Sequence, residues 1–279
     1  MKKFTALLVV LTVVMSLASC GAKDEQAATT ATESVASTES SVAVESTEAS
    51  ASTESEAVAE DVKSEGVMTH EEYMAAAMDT EVVVEAYVQA KQSWWEDKAT
   101  VYAQDQDGAY FIYEMACSAE DYEKLVPGTK IKVTGYKGEW AGEVEIMDAT
   151  FEIMEGNFLA EAVDVTELLG TDELIAHQNE LVTFTGMTVE AAGQDANGAD
   201  VAFLYNWDGS GQDGNDLYFN ASVNGATYTF TVESYLCDNT TDVYAAVKEL
   251  KIGDKIDMEG FLYWYEGVNP HITSVTVAQ

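Results

Sequence analysis

Five tryptophans stand out in this 279-residue chain as groups that could do chemistry: Trp94 and Trp95 side by side, Trp140, Trp207, and Trp264 between Tyr263 and Tyr265. Glu96, Asp97 and Glu139 sit beside them. Such rings combine an apolar face with a polar edge, which suits a surface wetted on one side and occupied by a ligand on the other. Sugars stack their C–H faces on such rings, and neighbouring carboxylates can accept their hydroxyl hydrogens. Carbohydrate is therefore one ligand class to weigh, and an envelope protein docking on the same aromatics is another.

Other chemistries find less support. The run WDGSGQDGND offers Asp208, Ser210, Asp213 and Asp216 as oxygen ligands, which suggests calcium. The EF-hand pattern fails there, because Asp213 stands where its glycine belongs and no Glu closes the loop; an acidic hairpin insertion is the simpler reading. Cys117 and Cys237 lie at matching places of two similar segments, show no CxxC or Cys/His metal spacing, and read as two partly buried thiols. His70, His177 and His271 have no nucleophile motif beside them. No cofactor is expected, and a glycan-active enzyme ranks last because no pair of carboxylates stands out.

The elements that position these residues are legible as a repeat. LVPGTKIKVTGYKGEW from Leu125 and LKIGDKIDMEGFLYWYEG from Leu250 align without a gap. They share Gly128/Gly253, Lys130/Lys255, Ile131/Ile256 and Gly135/Gly260. In the first copy, Thr69 and Glu72 have capping-box spacing ahead of an Ala-rich helix. Strands are predicted at 81–89, 98–104, 109–116, 130–136 and 143–153, with a turn at 105–108 and a short helix at 118–125. In the second, strands are predicted at 180–190, 201–205, 217–223, 227–234, 255–264 and 271–277, with 201–205 as the second strand and a hairpin at Asn224-Gly225. A helix is predicted at 240–250, and another at the end of the intervening segment 156–178.

Five strands with a helix between the third and fourth resemble the OB-fold, a partly open Greek-key barrel. The run EVVVEAYVQAKQSWWEDKATVYAQDQDGAYFIYEM, followed by LVPGTKIKVTGYKGEWAGEVEI, is similar to OB-fold modules of secreted lipoproteins from gut-type anaerobic bacteria. Members of that group are mostly of unassigned function, so the resemblance implies a fold and a location without a chemistry. It implies an all-β-dominated chain of two tandem five-stranded barrels, each with a leading helix, domain one at 66–156 and domain two at 157–279. OB-folds bind on strands two and three, between the loops joining strands one to two and four to five. Every Trp falls at or beside such a loop. The competing reading, that loop aromatics plug the barrels or the seam between them, fits Trp140 and Trp264 best. Of Trp94 and Trp95 at least one should be exposed, since neighbours in an extended chain point opposite ways.

The N-terminus has its own signature. MKKFTALLVVLTVVMSLASCGA has a basic tip, an apolar run and small residues, which is a secretory signal peptide at 1–19. Its end, Leu17-Ala18-Ser19-Cys20-Gly21, resembles the bacterial lipobox, implying acylation of Cys20 and anchoring on the extracytoplasmic face of a membrane. Residues 20–65 are almost entirely Ala, Ser, Thr, Glu and Val with no aromatic, a tether with a mean reach of roughly 35 to 40 Å. The formal net charge is -37, and every basic residue is Lys. Nucleic-acid binding draws on neutralised phosphates and on arginine, so nucleic acid is set aside as a partner. The expected function is a membrane-anchored, non-catalytic binding module, with a structural envelope protein of packed aromatics as the alternative.

Overall fold

A computed structural model describes residues 63–278. Helix α1 (His70–Ala75) opens them, and its capping box is formed: Glu72 N–H donates to Thr69 Oγ1 and Thr69 N–H to the Glu72 carboxylate. Strands β1 (Glu81–Lys91), β2 (Lys98–Gln104), β3 (Ala109–Ala116), β4 (Thr129–Trp140) and β5 (Glu143–Asn157) follow, with α2 (Ala119–Tyr122) between β3 and β4. They close in the order β1-β2-β3-β5-β4, with β4 antiparallel to β1 and a short parallel contact between β3 and β5. That is the OB-fold order. Val82, Val84, Ala86 and Val88 alternate into the interior from β1, and Tyr73 of α1 packs among them. Each fully buried Val contributes roughly 1.5 kcal/mol or more relative to exposure.

The second barrel begins with β6 (Val163–Asp164) and two 3-10 turns, Thr166–Leu168 and Asp172–His177. The predicted leading helix is thus replaced by 3-10 structure: Gly170 separates the two turns, and neither has the side-chain cap that Thr69 gives α1. Then come β7 (Leu181–Glu190), β8 (Gly193–Gln194), β9 (Asp200–Val201), β10 (Phe203–Tyr205), β11 (Leu217–Val223), β12 (Ala226–Val232), α3 (Asp242–Glu249), β13 (Lys255–Phe261) and β14 (His271–Val277). A ring β7-β11-β12-β14-β13 closes because β11 also pairs with β7. The described residues therefore build two closed five-stranded barrels, as the resemblance implies.

The segment 201–205 is not the second strand of this barrel. Glu190 of β7 faces Asn220 of β11, and the next rungs along β11 are filled by β10, with Phe203 facing Phe219 and Tyr205 facing Leu217. β10 thus continues strand one after an insertion at 191–202 that carries the small β8–β9 hairpin. The second strand is Leu217–Val223, joined to β12 by Asn224 and Gly225, both left-handed as a two-residue hairpin turn requires.

The repeated glycines of the fourth strands have a common cause. A β carbon on Gly260 would lie 2.2 Å from the His271 carbonyl oxygen, and one on Gly135 would lie 2.8 Å from that of Met147. Both sit at a register shift between strands four and five, where one backbone presses on the other.

The barrels share a packed seam. Tyr102, Phe111 and Phe261 are buried together, with Leu181, Leu236 and Tyr263 against them. Tyr102 stacks on Phe261 at 4.3 Å between centroids. Polar groups lock the same surface: Ser93 N–H donates to the Tyr235 carbonyl (2.7 Å), Glu266 N–H to the Ala141 carbonyl (2.7 Å), and Trp264 N–H to the Glu143 carboxyl group (2.8 Å). Lys63, at the end of the segment read as a tether, pairs with Asp105 and Asp107 of the β2–β3 turn. Residues 1–62, with the signal peptide and Cys20, lie outside the described residues.

Candidate binding groove

The loop between β1 and β2 is a tight turn. Trp95 and Lys98 exchange backbone hydrogen bonds around Glu96 and Asp97, both left-handed. The adjacent tryptophans part here. Trp94 is tied down by its Nε1–H, which donates to the Cys117 carbonyl (2.9 Å), and is 37% exposed, whereas Trp95 keeps 65% of its surface exposed. Trp140 ends β4 just before the Ala141–Gly142 turn and is 61% exposed. Trp207 is 76% exposed and follows β10, so it occupies the loop from strand one to strand two, as Trp94 and Trp95 do in the first barrel. Trp264 differs: it is half-buried against the second core and against Gly142 of the first barrel, which places it in the seam.

These loops border one groove, formed of three compartments that share residues. The first, about 340 Å³, lies between Trp95, Lys98, Tyr113 and Tyr235. The second, about 470 Å³, lies between Phe111, Tyr113, Trp140, Glu145 and Tyr263. The third, about 630 Å³, lies between Trp207, Tyr218, Thr231, Tyr263, Tyr265 and Glu266. Gln92 and Tyr113 line both the first and second, while Glu233, Tyr263 and His271 line both the second and third. Because Tyr218 and Thr231 stand on strands two and three of their barrel, the third compartment is the customary OB-fold binding face. The groove runs from there across the seam onto the first barrel.

Its walls are held from behind. Tyr263 stacks on His271 (4.3 Å) and meets Phe111 edge-on (5.3 Å). Burial pushes the His271 imidazole down to about 3, so it is neutral, and its Nδ1 lies 2.8 Å from the Tyr102 hydroxyl. The Tyr102 phenol, which burial holds well above its usual range, is neutral as well, so the two rings share one hydrogen bond between uncharged groups whose direction follows the imidazole tautomer. Burial, with Glu114 adding to it, raises the Glu145 carboxyl to about 7. Burial likewise raises Glu233 to about 7, although its oxygens accept Tyr235 N–H and Leu236 N–H. Lys98, at the first compartment, is engaged by Glu114.

The structure gathers Trp95, Trp140, Trp207, Tyr263 and Tyr265 along this groove and leaves Trp94 and Trp264 in supporting positions. It does not gather the aspartates suggested for calcium. Asp208 accepts Ser210 N–H, Asp213 pairs with Lys248, and Asp216 accepts from Ser234 N–H and Oγ. Among the described residues, no group of three or more His, Cys, Asp or Glu side chains could hold a metal ion. Cys117 and Cys237 are free and buried, their thiols pushed up to about 11 by that burial. Sequence reasoning missed Phe111, Tyr113 and Glu145. The available signal was the alternation in β3 and β5: with Ile112 and Ile146 pointing inward, Phe111, Tyr113 and Glu145 must point out.

The strand order and the paired loops define the class as a tandem OB-fold protein. No family model matches the chain, and no curated protein matches it. Solved structures do. A p204 HINb domain is 10% identical over 73% of this chain and 100% of its own, with a TM-score of 0.35. A murine DNA-binding protein bound with double-stranded DNA is 11% identical over 71% and 96%, with a TM-score of 0.33. A replication protein A heterotrimer bound to single-stranded DNA is 11% identical over 71% and 49%, with a TM-score of 0.30. Likeness at this level speaks to fold alone. It corrects one expectation, however. Nucleic acid was set aside on charge, whereas structures similar to this chain are described as bound with DNA, so that exclusion is withdrawn.

Proposed function

We propose that this chain is a non-catalytic binding module that holds an extended ligand in the groove crossing both barrels, and that the ligand is an oligosaccharide. One observation carries the reading: exposed rings from both barrels (Trp95, Tyr113, Trp140, Tyr265, Trp207) border a single groove whose polar lining is mostly oxygen acceptors. Stacked rings with acceptors between them suit successive sugar units. The test is tryptophan fluorescence of the full-length chain in mild detergent, titrated with neutral and charged glycans and with single- and double-stranded DNA oligonucleotides. Protection of tryptophan from acrylamide by one glycan, weakened about tenfold or more in Trp140→Ala, supports the reading. Protection by DNA alone, or by nothing, overturns it.

We propose in addition that Cys20 carries the lipid that holds the module on the extracytoplasmic face of a bacterial membrane, as in the secreted lipoproteins that the sequence resembles. Lys2, Lys3, the apolar run after them and the lipobox-like end support this. Mass spectrometry of the N-terminal peptide tests it: a diacylglyceryl-modified Cys20 is expected, and Cys20→Ser should release the protein from membranes. An unmodified Cys20 in membrane-bound protein would remove the proposal.

A further inference from the structure

Glu145 lies on the floor of the middle compartment and is 5% exposed. Among the described residues no hydrogen bond or ion pair engages its carboxyl group, in contrast to Glu114, which holds Lys98, and Glu233, which caps a turn. Phe111 faces it across the short parallel ladder between β3 and β5, and Tyr113, Trp140 and Tyr263 stand around the same space. The charged and titratable groups near it are Glu143 two residues back on β5, Glu114 and Tyr113 on β3, Tyr73 on α1, Glu233 after β12, Tyr263 after β13, and His271 on β14, which is neutral. No lysine lines this compartment among the described residues.

A buried carboxyl group with no partner is costly to ionise unless a cation arrives, and aromatic faces around it attract such a cation. We infer that the middle compartment is a site for a protonated amine, with Glu145 as its counter-ion and the rings of Tyr113, Trp140 and Tyr263 as its walls. The inference rests on the groove being a saccharide site and deepens that reading: the preferred ligand is an oligosaccharide bearing free amino groups. In the unliganded protein the raised Glu145 carboxyl holds its proton through mildly acidic pH, so amine binding there expels it. The ammonium group then makes a charge-assisted hydrogen bond to the resulting carboxylate.

The test compares a hexamer of β-1,4-linked glucosamine with its fully N-acetylated counterpart, by calorimetry at pH 6 in two buffers of different ionisation enthalpy, using the full-length chain and Glu145→Gln. The expected result is at least tenfold tighter binding of the amine hexamer, with release of up to about one proton per site. Glu145→Gln should lose both the preference and the proton release while still binding the acetylated hexamer, which shows that the groove is intact. Equal binding of the two hexamers by the native chain, or a preference that survives Glu145→Gln, overturns the amine site and leaves the saccharide groove standing. Binding of neither hexamer, with no glycan protecting tryptophan, removes both.

Discussion

Glu143 is fully buried where the barrels meet, and one of its oxygens accepts from Trp264 N–H and Gln178 Nε2. Among the described residues its other oxygen has no partner, and neither do the nearby Asn179 Oδ1 and Tyr73 hydroxyl. Burial raises this carboxyl to about 8. The folded protein then keeps a proton that the unfolded chain loses near pH 4.5, so this group's support for the fold is complete below pH 4.5 and is lost as pH rises to about 8. The loss is on the order of 5 kcal/mol at most. His271 has the opposite sign: lowered to about 3, it costs stability as pH falls from 6.5 towards that value. Urea denaturation between pH 6.5 and 8, above the range in which His271 opposes the trend, should show stability declining towards the alkaline end, with Glu145 and Glu233 adding to the decline up to about pH 7, and Glu143→Gln should make it shallower. An unchanged slope in that variant would mean that Glu143 ionises freely in the fold.

At the scale of elements, the repeated fourth strands owe their glycines to the neighbouring backbone, and the two copies should differ in sensitivity. Gly260→Ala places a methyl group against rigid backbone at 2.2 Å, whereas Gly135→Ala meets the Ile146 side chain and the Met147 carbonyl at 2.7 and 2.8 Å. Both should lose about 1 to 3 kcal/mol or more by urea denaturation, with the larger loss at Gly260. Strand patterns, the β2–β3 turn, the Asn224-Gly225 hairpin and the α1 capping box were legible because each is written in adjacent residues. The insertion at 191–202 was not. Phe203-Leu204-Tyr205 has the composition of any strand, and only its rungs on β11 show that it completes strand one. The groove divided in the same way. Loop tryptophans could be placed from sequence, but the difference between Trp140 in the groove and Trp264 in the seam depends on how two barrels pack. Tyr113 and Glu145 became visible only once strand phase was joined to barrel closure. Because Glu190 and Phe203 occupy consecutive rungs with alternating facing, deletion of 191–202 should leave the second barrel folded. Circular dichroism should show the native spectrum, with a melting temperature lowered by only a few degrees.

For the whole molecule, the groove requires the seam. Its middle compartment takes residues from both barrels, so their relative position is part of the binding surface. Phe261→Asp, which sets a charge against Tyr102, should weaken a hexasaccharide much more than a trisaccharide that fits within one barrel, as read by calorimetry. Equal loss for both lengths would point to general unfolding instead. The insertion in strand one carries a different consequence. Its hairpin turns at Asn197 and Gly198, both exposed, while the rungs on either side remain anchored to β11. A single protease cut at that tip would sever the chain into two pieces that each contribute part of one strand and are held together by the barrel they complete. The second barrel is therefore naturally disposed to work as a split protein: two fragments, separately made, would reassemble the groove only when brought together.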